Sequence, residues 1–576
     1  MKGKRVLILA VLLLPLTSCL SHIPVQGPVN YGAEAYAPSS QNFVRTLVSA
    51  PTIGSTPQSL IRQFLAAIAG DQGDYATSRL YLAPEVRYGW RPEKGVRIYT
   101  DRLQSSYIRG IREANTFAFS GSESGTIDEQ GHYQRAAPGT LLFENFSVRR
   151  VGGEWRIASL VDGLSLSESD VARAYRQSNI YFLNASKRTL VPDSVYLPVN
   201  LGVSTSLIRA LLSGPTAWLS PAVTTAIPVG ASLAVGSVPI QQGVATVDLS
   251  APVGNISSLD RQAMSAQIVW TLKQMAEVAA VRITIGRAPL IVAGSGEAQS
   301  RFAYSNFSPN VLTGETQSFS ISDRGLFKIS ELASKPVIKL VNSEANHIIA
   351  QFSGAAISLD GGAIAGIDSA NSLIAGPLSG PLVLQVSAIA DSNWLAPSWD
   401  SDGLLWAARG HAGHSQVYAV APGAKAVAVS AEIIANRSLQ GFRIARDGTR
   451  VALAIESGNS SRLFVARVIR SAAGAKIGFR IEAPIELPWT GGSINLINWA
   501  DATHLAILTS VTPTSIWRVA IDASEEINLA GIVDPNVLAA APGMPVLAGD
   551  SHGTLSALVG QEWRVIGKGR YPMYPG

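Results

Sequence analysis

The chain has 576 residues, 46 Lys and Arg against 41 Asp and Glu, and one cysteine, Cys19. At about 150 residues per domain this is material for three or four domains. A lone cysteine rules out an intrachain disulfide, a cysteine-ligated metal cluster and thiol catalysis in the body of the protein. Charged residues are 15% of the chain and apolar residues 47%. No Lys/Arg cluster is interleaved with aromatics, so a nucleic-acid partner is excluded.

Lys2, Lys4 and Arg5 precede the apolar run Val6 to Leu14, and Leu16-Thr17-Ser18-Cys19 follows it. A basic start, a short apolar stretch and small residues define an export leader, residues 1–18. The cysteine directly after it resembles the bacterial lipobox. The resemblance implies that the Cys19 thiol takes a diacylglyceryl group and that Cys19 becomes the new amino terminus. The apolar run is too short to span a bilayer, which needs about 20 residues. Later apolar stretches, 421–434 and 532–548, are broken by Pro, Gly and charge. Attachment is therefore expected through membrane lipid on Cys19, on the extracytoplasmic face. Each buried methylene contributes ~0.8 kcal/mol, so two or more acyl chains hold where one does not.

Residues 19–58, rich in Pro, Ser, Asn and Thr, read as a tether that lifts the body off the membrane. A first folded unit is expected over 59–178. Leu60, Phe64, Leu65 and Ile68 share one helical face, with Thr56 as cap and Pro57 at the first position. A second short helix is expected over Tyr75 to Leu82. Strand patterns follow at Arg97–Tyr99, Thr116–Ser120, Leu141–Arg150 and Glu154–Ser159, the last two joined by Gly152-Gly153. Two helices and a bent antiparallel sheet look like the cone-shaped NTF2-like α+β fold.

A second α+β unit is expected over 179–289. Two strands flank a turn at Ala185–Lys187. A helix begins at Ser204 as cap and buries Leu207, Leu211 and Leu212. A hairpin turns at Gln241–Gly243. A longer helix, Ser258 to Met275, turns Leu259, Met264, Ile268 and Leu272 inward, and Val281–Ile285 closes the unit. This order, with "AIP.G..L" followed by "G.A.VDLS", resembles the GerMN domain of exported bacterial proteins, to which no chemistry is assigned.

The third unit, 302–576, is a repeat. The segments 357-ISLDGGAIAGI-367, 399-WDSDGLLWAAR-409, 444-IARDGTRVALA-454 and 498-NWADATHLAIL-508 each place an aspartate in a turn before a small-apolar strand. Asp360, Asp402, Asp447 and Asp501 recur at about the 40–50-residue period of a propeller blade. Each repeat is expected to end in an alternating strand, at 382–387, 416–420, 462–467 and 515–521. The length fits an all-β propeller of six blades, with five or seven left open. The wide last spacing implies an insertion between Asp447 and Asp501.

No catalytic signature appears: there is no GxSxG and no HExxH among the seven histidines. His411 and His414 form the nearest thing to a ligand pair and read as a polar connection. The aspartates obey the repeat, as turn residues do. No enzyme activity, metal or cofactor is therefore expected. Trp399 and Trp499 read as inter-blade packing. Trp394 and Trp489 are the candidate partner-binding residues, since exposed aromatics on a propeller face seat partners.

Lipobox, NTF2-like region, GerMN domain and propeller in this order resemble the actinobacterial LpqB lipoprotein family over essentially the whole chain. The resemblance implies an accessory to the MtrA–MtrB two-component system. Such a protein contacts the extracytoplasmic part of a sensor histidine kinase and so affects cell-wall homeostasis and division. The competing reading is a cell-envelope module that binds polysaccharide or a small ligand.

Overall fold

A computed structural model describes residues 48–576 apart from 71–73, 102–105, 112–114, 138, 200–201, 251–255, 311–315, 330–342, 379–383, 386–392, 411–412 and 474–475. The helix Pro57–Gly70 opens the first region. Thr56 caps it, its hydroxyl accepting from the Ser59 N–H at 3.3 Å. Its apolar stripe, Leu60, Ile61, Phe64, Leu65 and Ile68, is buried as the sequence periodicity requires.

A curled sheet wraps this stripe as a half-barrel. Its path runs Glu154–Ser159, Leu141–Val151, Thr116–Ile127, Val96–Tyr99 and Leu164–Ser167. Ser106–Gly110 and Tyr133–Arg135 also pair with Thr116–Ile127, the first across from Leu141–Val151 and the second across from Val96–Tyr99. Phe64 sits at the centre, its ring 5.6 Å from Trp90 and 6.2 Å from Phe146, both edge-on. Each such fully buried side chain contributes roughly 1.5–3 kcal/mol. The expected second helix is a single turn, Ala76–Arg79: Tyr75 caps its start with a left-handed backbone (φ 58°), and beyond it Leu82 bridges to Ile157, where the Ala83 N–H donates to Ile157 O at 2.8 Å.

The next region begins with the hairpin Tyr175–Leu183 and Leu190–Pro198. Helices Val203–Ser213 and Ser258–Leu272 follow, with Val244–Leu249 parallel to Ala280–Ile285. Two expectations are corrected here. Leu259 is 76% exposed, because one residue into the helix it lies off the inward stripe set by Met264, Ile268 and Leu272. Ser204 lies inside its helix after Gly202, and its hydroxyl donates to the Val238 carbonyl at 2.8 Å.

The remaining chain forms successive antiparallel sheets, consistent with a propeller. They are built on Ala355–Ile357, Ser398–Trp399, Leu439–Ile444, Ile494–Trp499 and Pro535–Ala539 as first strands. These first strands contact one another in chain order around an axis, and Arg570–Met573 completes the series against Ala355–Ile357. Arg570–Met573 also pairs with Ser318–Ser322, so the last strand joins the earliest sheet. Ala365, Ala407 and Ala452 are fully buried on second strands, where neighbouring sheets leave no room for more.

Of the strands expected to end each repeat, that at 382–387 is the fourth and last of its sheet, and the other three are third strands. Gln416–Val420 is followed by Val427–Ala431, and Ile516–Ala520 by Glu526–Asn528. These outer strands are short or exposed, so they lack the apolar alternation that marks inner ones. The expected 382–387 strand is described only at Leu384–Gln385. The wide spacing after Asp447 is an elongated hairpin, Ser460–Ala473 with Lys476–Leu487. Its second strand runs parallel to Val427–Ala431 through Ser430 and Ala431, joining two four-stranded units into one sheet.

Candidate functional site

The repeated aspartates are held by their own turns. In three of them a glycine takes the left-handed conformation, Gly361, Gly403 and Gly448, with φ between 70° and 74°. Asp360 accepts from the Gly362 N–H at 2.9 Å and Asp447 from the Thr449 N–H at 2.8 Å. The second repeat departs from the expectation. There Asp400 makes the turn, accepting from the Asp402 and Leu404 N–H groups at 2.9 and 3.0 Å. Asp402 instead pairs with Arg470 of the elongated hairpin. Asp447 forms a buried ion pair with Arg450, and the Asp501 carboxylate meets His504 Nδ1 at 2.9 Å. Burial works to raise Asp501, but His504, the Thr503 N–H and Arg518 outweigh it and hold the carboxyl down to about 2. Each carboxylate is thus consumed by turn or ion pair. Among the described residues no group of three or more His, Cys, Asp or Glu is placed to hold a metal.

At the axis, Arg446 follows the strand Leu439–Ile444. Its guanidinium reaches the Pro575 carbonyl from Nη2 at 3.0 Å and from Nε at 3.2 Å. It also reaches Trp499 O at 3.4 Å and Ala540 O at 3.5 Å. Arg443 donates to Pro397 O at 3.0 Å and to Gly576 O at 2.5 Å. Gly576 N–H in turn donates to Ile357 O at 2.9 Å. The guanidinium fork suits this task, because five fixed donors satisfy carbonyls of several sheets at once. Burial pushes both arginines below their ordinary range, and Arg443 pushes Arg446 further. The segment Met573–Gly576 is buried and occupies this end of the axis.

The earlier regions dock on the sheets. Trp218 Nε1 donates to Ala483 O at 2.7 Å, and Arg467 Nη1 donates to Trp218 O at 2.7 Å. Asn184 Nδ2 reaches Asp447 O at 3.3 Å. Asp522 accepts from the Tyr196 hydroxyl at 2.9 Å and from Gln177 Nε2 at 2.7 Å. Gly131, with φ 91°, lies against Tyr196, whose N–H donates to Gly131 O at 2.6 Å. A Cβ there would stand 2.8 Å from Tyr196 O. Asp193 is buried where the regions meet. Burial raises its carboxyl to about 6, against the Thr216 N–H and the nearby His132 and Arg450. Between the half-barrel and the helix Val203–Ser213 lies a cleft of about 540 Å³, lined by Ile68, Tyr75, Val96, Tyr175, Tyr196 and Arg209 among others.

Cys19, the leader and the tether up to residue 47 lie outside the described residues, as does His411. Trp394 is 8% exposed, with its ring 5.9 Å from Tyr418. Trp489 is half-buried, donates to Gly492 O at 2.6 Å and stands 5.8 Å from the Trp517 ring. The two tryptophans belong to different clusters and form no common surface. Trp399 and Trp499 bridge to the preceding sheet, donating to Ala356 O at 3.3 Å and Arg443 O at 3.1 Å. Sequence reasoning missed Arg443, Arg446, Trp218 and Asp522. Arg446 stands beside an expected turn in "ARDG", but nothing in the string shows what its guanidinium meets.

Three family models match in succession. Residues 50–172 match "Lipoprotein LpqB, N-terminal domain", 179–290 match "Sporulation and spore germination", and 343–575 match "Lipoprotein LpqB beta-propeller domain". The Lipoprotein LpqB of Thermobifida fusca (strain YX) is 28% identical over 613 residues, covering 96% of each chain. That of Streptomyces avermitilis is 24% identical over 598 residues, covering 97% of this chain and 96% of the relative. That of Mycobacterium leprae (strain TN) is 25% identical over 509 residues, covering 79% and 80%.

Proposed function

We propose, from the premise that this chain belongs to the actinobacterial LpqB lipoprotein family, that it binds and modulates a sensor histidine kinase at the outer face of the cell membrane. The chain is a non-catalytic accessory lipoprotein of that family. In this reading residues 1–18 are removed, Cys19 is acylated and 19–58 tether an NTF2-like domain, 59–178. A GerMN domain, 179–289, and a six-bladed propeller, 302–576, complete it. Six blades agree with the succession of first strands that Arg570–Met573 completes.

One observation carries the proposal. The end of the propeller axis, where propellers commonly seat small ligands, is filled by Met573–Gly576 on the Arg443–Arg446 pair. Function then falls to the outer surfaces, which is what an accessory to another protein needs. Of the two tryptophan candidates, half-buried Trp489 is the better contact. A tether raises the effective concentration of a nearby membrane partner, so a weak contact suffices. Preference for one kinase conformation then shifts its population. An MtrB-like kinase of a two-component system governing cell-wall homeostasis and division is the partner the family resemblance implies. Co-purification of the lipid-tethered chain with the kinase sensor domain tests this. Association that a Trp489→Ala variant weakens is expected, and no association in tethered form sinks the idea.

The small-ligand reading has one observation in its favour, the cleft bordered by Tyr175 and Tyr196. Saturable protection of those tyrosines by cell-wall fragments would support it.

A further inference from the structure

The helix Pro57–Gly70 covers one face of the half-barrel sheet and leaves the other face open. Strand register defines what that open face carries. Tyr107 lies opposite Ser120, and Ser120 lies opposite Phe143, so three strands contribute one row. Arg109, Ala118 and Asn145 form the next row, and Ser122 with Leu141 lies on the other side. Phe119 and Phe146, one step out of phase, are in the core.

Tyr107 is 51% exposed, and Leu141 and Phe143 are each 56% exposed. The two aromatic residues flank Ser120 so closely that it is buried. Single exposed apolar residues are ordinary, but adjacent large ones mark an interaction surface. The charge on this face is positive. The Arg109 guanidinium stands 5.8 Å from the Tyr107 ring centroid. Arg97 Nη1 donates to Phe143 O at 3.2 Å, and its ion partner Glu123 is 3.5 Å away. The rows contain no carboxylate. Glu144, on the same strand as Phe143, points inward and accepts from Ser165 at 2.7 Å.

We propose that this face binds the surface of an anionic bilayer. Tyr107, Leu141 and Phe143 enter the headgroup layer, and Arg109 and Arg97 meet lipid phosphates. Amphipathic aromatics settle at that depth, and guanidinium groups match phosphate geometry. The inference rests on the lipoprotein reading for the presence of a membrane. The described chain begins at Val48 in this module, so along the chain it is the module nearest Cys19. The acyl chains on Cys19 hold the chain at the membrane without setting its orientation, and a basic, apolar protein face is the kind of second contact that does. A glycan platform is the other occupant such aromatics suggest. The aliphatic Leu141 favours lipid, as does the engagement of Glu123, the carboxylate beside the rows, by Arg97 rather than by a sugar hydroxyl.

The test uses the mature chain from residue 19, made without acylation, sedimented with vesicles. Binding is expected to vesicles of equal parts phosphatidylglycerol and phosphatidylcholine, and not to phosphatidylcholine alone. Arg109→Glu should weaken it about five-fold or more, and Tyr107→Ser with Phe143→Ser about ten-fold. If the double variant melts below the parent, Arg109→Glu alone decides. No binding to the anionic vesicles, or binding unchanged by the deciding variant, overturns the proposal. So does retention on cell-wall polysaccharide that the same variants abolish. Palmitate labelling of Cys19 in cells reads the anchor separately. A labelled anchor without vesicle binding removes this face and leaves the lipoprotein reading standing, and the reverse result does the opposite.

Discussion

Arg446 and Pro575 stand 129 positions apart, yet two nitrogens of the one guanidinium donate to the carbonyl of the other at 3.0 and 3.2 Å. The same side chain reaches Trp499 and Ala540, so one arginine links several sheets to the final segment.

Replacing Arg446 by Met keeps bulk but strands those carbonyls in a buried site. The cost is expected at about 3 kcal/mol, since each orphaned acceptor costs about 1–3 kcal/mol. A thermal melt should show the propeller transition lowered by roughly 6 °C or more. Arg446→Lys should recover less than half, because an ammonium cannot fork between carbonyls. A melt unchanged in both variants would remove the axial role given to this residue.

Asp522 is the shared acceptor for Tyr196 and Gln177. Asp522→Ala should loosen the hairpin Tyr175–Pro198 from the sheets at a cost of about 1–2 kcal/mol. Hydrogen exchange should quicken over residues 175–198 and stay unchanged at the core strand Arg450–Ser457. Uniform quickening across the chain would argue against local docking.

Asp193 gives a pH dependence of known sign. Burial raises its folded-state carboxyl to about 6, above the unfolded value of about 3.8. Between those values the folded chain binds the extra proton, so stability falls as pH rises through this window. Above pH 6 the buried charge costs about 3 kcal/mol by this shift. Asp193→Asn, which still accepts from Thr216, should therefore raise the melting temperature at pH 7.5 and leave it nearly unchanged at pH 3.5. Asp501 works in the opposite sense. Its carboxyl lies below the unfolded value, so its contribution is present above about pH 4 and is lost as pH falls toward 2. An equal gain for Asp193→Asn at both pH values would refute the assignment.

Cys19→Ala should abolish palmitate incorporation and release the chain from the membrane pellet in a high-salt wash, which screens the contact of the basic face with anionic lipid. Persistence of the label would place the acyl group elsewhere.

Much of the architecture was legible because burial imposes a period. Leu60, Phe64, Leu65 and Ile68 announced a helix, and Gly152-Gly153 announced a hairpin whose first glycine has φ 60°. Repeated turns exposed the propeller because every blade meets the same steric demand. Leu259 was misjudged because a helix start lies at the edge of the core, where one residue changes which side faces solvent. Asp402 was misjudged because two aspartates two positions apart both suit the turn, and only the tertiary partner Arg470 separates their roles. The axial arginines were not legible at all. Their meaning depends on Pro575 and Gly576, over a hundred positions away, and local sequence carries no trace of that meeting.

The pairing of Ser318–Ser322 with Arg570–Met573 sets the timing of maturation. A sheet whose two parts are some 250 positions apart cannot be finished as the chain emerges. Until residue 573 has been made, the strands at 318–329 present an unpaired edge of the sort that captures foreign strands. The nascent chain must therefore keep that edge shielded, and a chain stopped before the strand Arg570–Met573 would be left prone to aggregate rather than partly functional.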